Sequence, residues 1–276
     1  MHNTLINDVT LFSMRSCVLR VTKLLLLSVL LISSIDSVAK QVSQYEIQVV
    51  TELLEPYQVY NHDGTLGGFS TDVIKALLQQ AQSTAKIEVM PWARAYNTAL
   101  YSENVMIYSI TKSDSRDRDF LWLGEIFEEK LCYWTLRHNG SENKLVDKAL
   151  KDKAFSAPRF SISAQYLLDN NFTNVYLTSN EEQSIEMLFL GRADFILATE
   201  YSLRLAARKL GLDLSKVKRM YENKVISNPL SIAFGLNTDR EIIEHFQAAF
   251  SEIKRNGTLG KITQKWNIER LAQRCN

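Results

Sequence analysis

Residues 105–124, VMIYSITKSDSRDRDFLWLG, place an apolar strand directly before a polar loop carrying Ser113, Arg116 and Arg118. Buried strands read as apolar runs, and α/β proteins present ligand groups just past strand ends. An arginine in such a loop offers a planar fork of N–H donors to a carboxylate, which a lysine cannot match. The same loop also reads as a solvated turn in which Arg116 and Arg118 pair with Asp114, Asp117 and Asp119, an arrangement of small energetic worth. Both readings stay open on the loop alone.

Further candidates lie on either side. Ser161 and Ser163 begin a helical pattern, where free backbone N–H groups favour an anion, although a serine there is equally a plain N-cap. Tyr57, Phe69, Trp92 and Trp122 could wall a cleft or simply fill the core, since small-ligand sites are mostly apolar with a few aimed polar groups. Arg94 shares a helical segment with Trp92 and is a second cationic candidate.

Catalytic and cofactor signals are missing. After the leader described below, the histidines are His62, His138 and His245, without metal-ligand spacing. DGTLGGF is glycine-rich but lacks the lysine and following Ser or Thr of a phosphate-cradling loop. No nucleophile elbow appears, and no Cys–His pairing suggests itself. The residues therefore point to no metal, no cofactor and no enzyme. A general acid or base, were one needed, would come from Glu52, Glu55 or Glu200.

At the N-terminus, the apolar run LLLLSVLLI (24–32) follows Arg15, Arg20 and Lys23 and precedes Ser37-Val38-Ala39. That pattern is a secretory signal peptide cleaved after Ala39, with Met14 as an alternative start. Cys17 precedes the apolar run, whereas a lipid-carrying cysteine would follow it. Removing 39 of 276 residues leaves 237, and the removed part holds three basic and two acidic residues of the 32 and 31 in the whole chain. The remainder carries 29 of each sign, so neither nucleic acid nor an anionic membrane is expected as a partner. Cys132 and Cys275 remain, and export to an oxidising compartment permits a disulfide between them if their Cα atoms come within reach.

Alternating strand-like and helix-like segments must position these groups. YEIQVVT (45–51), KIEVM (86–90) and VMIYSI (105–110) read as strands. Between them, FSTDVIKALLQQAQ (69–82) reads as a helix capped by Ser70 or Thr71, with Val73, Ile74, Leu77, Leu78 and Ala81 on one face. Pro91 opens a second helix, PWARAYNTALYS, in its first turn. A second series follows: a helix near 144–151, strand 154–157, helix 161–169, strand 174–178, helix 181–190, strand 193–198, helix 201–211 ended by Gly211, and strand 229–236. Helical segments 240–257 and 258–273 close the chain. Such alternation implies an α/β protein with largely parallel sheets.

Five stretches carry a family resemblance: EPYQVYNHDGTLGGFSTDVIKAL (55–77), PWARAYNTAL (91–100), SITKSDSRDRDFLWLG (109–124), SIEMLFLGRADFILA (184–198) and FQAAFSEIKRNGTLGKITQKW (246–266). In order and type they resemble the bacterial extracellular solute-binding proteins of family 3, the amino-acid type of periplasmic binding protein. The resemblance implies a two-lobed, periplasmic-binding-protein-like (type II) α/β fold, each lobe a mixed, mostly parallel sheet flanked by helices. It puts lobe 1 in 40–131 plus 236–276 and lobe 2 in 132–235, with crossing strands near 131–137 and 229–235. Ligand would bind between the lobes and be trapped by hinge closure.

Carried onto this chain, Arg116 matches the family's carboxylate-binding arginine and Ser113 its companion threonine. Ser161 and Ser163 mark the second-lobe helix start that touches the same carboxylate, and Tyr57 matches the aromatic before the family's turn. The family's acid for the ligand ammonium, at the end of the strand in ADFILATEY, is here Thr199, followed by Glu200; Asp194 belongs to the preceding turn. Either Glu200 takes over the cation or the ligand lacks an α-ammonium. The implied function is capture of a small polar, carboxylated metabolite by a periplasmic monomer and delivery to an inner-membrane ABC permease. A ligand-sensing partner of a membrane receptor and a periplasmic dehydratase are the alternatives.

Overall fold

The computed structural model describes residues 45–137 and 147–268. The expected signal peptide, the start of the helix near 144 and Cys275 lie outside those residues; Cys132 is buried and disulfide-bonded. The first elements are β1 (Gln48–Thr51), β2 (Val59–Tyr60), β3 (Leu66–Gly67), α1 (Phe69–Gln80), β4 (Ile87–Val89), α2 (Trp92–Tyr101), β5 (Val105–Thr111) and β6 (Phe120–Glu128). Next come β7 (Cys132–Leu136), α3 (Asp147–Leu150), β8 (Ala154–Pro158), α4 (Ile162–Asp169), β9 (Asn174–Thr178), α5 (Glu181–Phe189), β10 (Phe195–Ala198), α6 (Glu200–Leu210) and β11 (Val217–Glu222). Then β12 (Pro229–Gly235), α7 (Arg240–Arg255) and α8 (Thr258–Trp266) complete the order.

Two five-stranded sheets result, ordered β4-β1-β5-β12-β6 and β11-β7-β10-β8-β9, with β2 and β3 forming a small hairpin. Each sheet is mixed. In the first, β1 runs parallel to β4 and β5, whereas β12 is antiparallel to both β5 and β6. In the second, β8 runs parallel to β9 and β10, whereas β7 is antiparallel to β10 and β11. The chain passes between sheets at 129–131 and 223–228, while the stretches expected as crossings, 131–137 and 229–235, are largely occupied by β7 and β12 themselves.

Strands buried on both faces explain the apolar runs. β5 is buried along its whole length. Successive side chains point to opposite faces, so Met106 and Tyr108 enter the core against α1 and α7, and Val105 and Ile107 enter the core against α2. β7 divides in the same way, Tyr133 to one side of its sheet and Trp134 to the other. The expected face of α1 is buried from Val73 to Leu78, and Ala81 follows it.

Two helix starts differ from expectation. α1 begins at Phe69 with Gly68 as its cap, so Ser70 and Thr71 sit inside the first turn. Gly68 holds φ +106°, and a Cβ there would lie 2.3 Å from the Tyr57 carbonyl oxygen. Backbone approach therefore decides the start, and the Thr71 hydroxyl turns inward to Tyr108 Oη at 3.1 Å. Pro91 is the cap of α2, one residue ahead of its first turn.

Candidate functional site

Between the two sheets lies a cavity of about 860 Å3. From the first lobe it is lined by Glu52, Gln58, Trp92, Ser109 and Arg116; Glu129 lines it from the first crossing; Ser161, Ser163, Glu181, Thr199 and Ser202 line it from the second lobe. Most of these follow a strand end or open a helix, the places where an α/β sheet leaves backbone and side chains free for a ligand.

Arg116 is fully buried, at 1 % exposure, and lies in the cavity wall. Its guanidinium carbon sits 5.2 Å from the Tyr96 ring centre and 6.0 Å from that of Trp92, a cation held over aromatic faces. Three of its N–H groups already have protein acceptors. Nη1 donates to the Thr111 carbonyl at 3.0 Å, Nε to Gln165 Oε1 at 3.0 Å and Nη2 to the Phe160 carbonyl at 2.7 Å. Trp92 Nε1 donates to the same Phe160 carbonyl at 2.9 Å. The expected open fork is thus partly closed: Arg116 ties the first lobe to the turn that starts α4. Burial draws its pKa down to about 10, which the nearby Tyr96 and Asp119 partly offset, so the charge persists at neutral pH.

The other expected residues divide. Trp92, Ser161, Ser163 and Thr199 line the cavity. Ser161 caps α4 by accepting from Ala164 N at 3.1 Å, and Ser163 Oγ donates to the Leu197 carbonyl at 3.2 Å. Thr199 caps α6, accepting from Ser202 N at 3.0 Å. Tyr57 is buried behind the wall beside Glu129. Phe69 packs in the core against Phe127. Ser113 is half-buried outside the lining, its Oγ 3.1 Å from Ser115 Oγ and its carbonyl accepting from Arg116 N. Arg94 is exposed and outside the lining. Glu200 is also outside it and is ion-paired with Arg204 at 2.6 Å and with Arg219. A carboxylate held by two guanidinium groups on its own lobe is not placed to receive a cation in the cavity, which corrects that expectation.

Three acidic residues that the binding motifs did not single out stand in the wall. Glu52 follows β1, Glu129 follows β6, and Glu181 opens α5 after its cap Asn180. Burial pushes Glu52 up to about 8, with the negative charge of Glu181 adding to it. Burial likewise pushes Glu129 and Glu181 up to about 7; Glu181 raises Glu129 further, while Tyr57 beside Glu129 and Ser202 beside Glu181 favour the anions. A polar residue directly after a strand was the available sequence signal, and it is a weak one, because a lone glutamate there usually faces water.

A cavity enclosed by two α/β lobes, joined by two short crossings and lined from both, defines a two-lobed binding protein of the periplasmic type. The chain belongs to the bacterial extracellular solute-binding proteins, family 3, which it matches over residues 47–269. No protein of curated function matches it by sequence. Among solved structures it is similar to a histidine kinase sensor domain with similarity to periplasmic binding proteins, at a TM-score of 0.69 and 15 % identity, over 82 % of this chain and 96 % of that one. It is also similar to an ancestral arginine-binding protein bound to arginine, at 0.66 and 20 % over 82 % and 98 % of the two chains. A periplasmic His/Glu/Gln/Arg/opine family-binding protein from Silicibacter pomeroyi, in complex with lysine, matches at 0.64 and 18 % over 80 % and 96 %. At these identities the likeness is one of fold.

Proposed function

We propose that this protein captures a small polar metabolite, an amino acid or a related carboxylated compound, between its lobes in the periplasm and delivers it to an ABC-type permease. The observation that carries this reading is the cavity of about 860 Å3 lined from both lobes, within the size range of small-molecule sites. The Arg116 fork has five N–H donors, of which Thr111, Phe160 and Gln165 take three and Tyr96 lies within reach of a fourth. The remaining donor of that fork, together with the first-turn N–H groups of α4, offers a carboxylate donors from both lobes. A ligand touching both lobes favours the closed arrangement by its preference for it, and by no more than that. Capture without turnover is the reading, in keeping with the solute-binding family, and a binding protein returns its ligand unchanged.

A thermal-shift screen of the purified protein against amino acids, small organic acids and polyamines tests this. Ligand at about 100 times its Kd adds about 2.7 kcal/mol, or roughly 5–10 °C for a chain of this size. No shift across the panel overturns the reading. The likeness to a sensor domain favours ligand sensing as the second reading; co-purification with a sensor kinase instead of a permease would select it.

A further inference from the structure

Away from Arg116, the charged side chains of the cavity wall are mostly acidic, five glutamates against Lys209. Glu52, Glu129 and Glu181 all line it, and none of the three forms an ion pair among the described residues. Of the cations in the lining, Arg116 is committed to Thr111, Phe160 and Gln165. Lys209 is held at the rim by Glu182 at 2.9 Å and Glu55 at 3.9 Å. Separately, Gln58 is 1 % exposed and gives its Nε2 to Ser109 Oγ, leaving Oε1 without a donor. A buried acceptor without a donor is uncommon in a folded protein and asks for an explanation. Here it belongs to the same wall as the three carboxylates that lack an ion pair among the described residues.

A metal ion is not the explanation the geometry favours. Among the described residues, no three of His, Cys, Asp and Glu come close enough together to hold one. The carboxylates come from the end of β1, the first crossing and the start of α5, so an organic cation with several N–H donors can meet more than one of them where a single metal ion cannot.

We infer that the cavity recognises a ligand bearing a strongly basic amine or guanidinium, its cation lying among Glu52, Glu129 and Glu181 with Gln58 Oε1 accepting one of its N–H groups. This rests on the binding-protein reading above and specifies its ligand. The arrangement also gives the cation a mechanical role. Glu52 belongs to the first lobe and Glu181 to the second, so with the cleft vacant ionising both would set like charges against closure, and burial keeps protons on them instead. A cation between them favours the ionised carboxylates and draws both lobes toward it, so ligand charge and closure are coupled. A basic amino acid and a free di- or polyamine share this chemistry; they differ in whether a carboxylate also reaches Arg116.

Calorimetric titration at pH 8 tests the inference. The cationic arms are lysine, arginine, putrescine, agmatine and spermidine; the uncharged counterparts are norleucine and citrulline, and glutamate is the anionic arm. At least one cationic compound should bind, with its uncharged counterpart at least about tenfold weaker. Glu129→Gln and Glu181→Gln should each weaken the cation at least about tenfold while keeping or raising the unfolding temperature, which shows that the variants fold. Binding of lysine or arginine without the amines identifies a basic amino acid; the reverse identifies a polyamine. A neutral or anionic compound binding as tightly as any cation, or unchanged affinity in both glutamine variants, overturns the inference and leaves the binding protein standing. Silence from every compound, in this titration and in the wider screen, overturns both.

Discussion

The Arg116 guanidinium donates to the Phe160 carbonyl at 2.7 Å, binding a loop of the first lobe to the turn that starts α4 in the second. Phe160 holds φ +59°, its ring is stacked on Tyr96 with centroids 5.8 Å apart, and its carbonyl also accepts from Trp92. Two donors fill the two lone pairs of that oxygen, so the contact is complete without ligand. Arg116 thus contributes to the meeting of the lobes as well as to the cavity wall.

Arg116→Lys keeps the charge and loses the fork. A lysine cannot reach Thr111, Gln165 and Phe160 together from one ammonium. Losing hydrogen bonds of a charged group costs about 1.5–3 kcal/mol, so ligand affinity should fall roughly 10- to 100-fold. Small-angle scattering of the ligand-free variant should show a larger radius of gyration. Unchanged affinity and an unchanged radius would mean that neither lobe contact nor ligand depends on the fork.

Glu200 and Glu181 make a paired test of which acid faces the ligand. Glu200→Gln removes the ion pairs to Arg204 and Arg219; with Arg204 largely exposed, the loss is about 1 kcal/mol or less, a fall of roughly 2–4 °C in Tm. Its affinity for ligand should stay within about twofold of the parent, a free-energy change below about 0.5 kcal/mol. Loss of binding in Glu200→Gln with full binding in Glu181→Gln would reverse the assignment.

Much of this arrangement is legible locally, and the illegible part has one physical cause. β5 and the face of α1 follow from apolar runs and helical spacing, signals contained within a dozen residues. Arg116 is found because a strand-end arginine is rare enough to notice. Its partners Phe160 and Gln165 lie 44 and 49 residues further along the chain, and no local pattern announces them. Glu129 and Glu181 look like surface acids until two lobes come together over them. Glu200, beside the position expected to hold the ligand cation, is drawn instead to Arg219 on β11, a strand not anticipated from the sequence. Short-range periodicity reports the layers, and the site is made by contacts between them.

Gly68→Ala should be severely destabilising, and Gly191→Ala mildly so. At Gly68 a Cβ meets the Tyr57 carbonyl oxygen at 2.3 Å in a backbone conformation of φ +106°. Backbone cannot move aside cheaply there, because Tyr57 also accepts from Thr71 N within the start of α1. At Gly191 φ is +68° and a Cβ meets nothing within 4 Å, leaving the left-handed conformation as the cost, about 1–2 kcal/mol. Chemical denaturation should place the Gly68 variant at least about 3 kcal/mol below the parent, in the range reserved for core strain. Equal losses in the two variants would mean that the approach to Tyr57 relaxes.

The acidic wall makes the ligand-free protein less stable as pH rises, and the sign follows from the direction of the shifts. Glu52 is pushed up to about 8 and Glu129 and Glu181 to about 7, against 4.5 for an ordinary glutamate. Between those values the folded state holds more protons than the unfolded chain, so each pH step upward favours unfolding; below about 4.5 and above about 8 the groups contribute no slope. The other titratable groups facing them do not reverse this. Tyr57 and Tyr201 are themselves raised above 10 and stay neutral, Glu55 and Glu182 add negative charge, and Lys209 is already engaged with both. Asp63 and Asp213, whose pKa values are lowered, act below 3.8, outside the window. With each pKa unit worth about 1.4 kcal/mol, Tm should fall by about 5 °C or more from pH 5.5 to 8.5. Glu129→Gln and Glu181→Gln should each flatten that fall, and a saturating basic ligand should abolish it by favouring the ionised carboxylates. A Tm that stays level or rises across the window in the ligand-free protein would show that the three carboxylates are solvated, and the repulsion across the cleft would go with them.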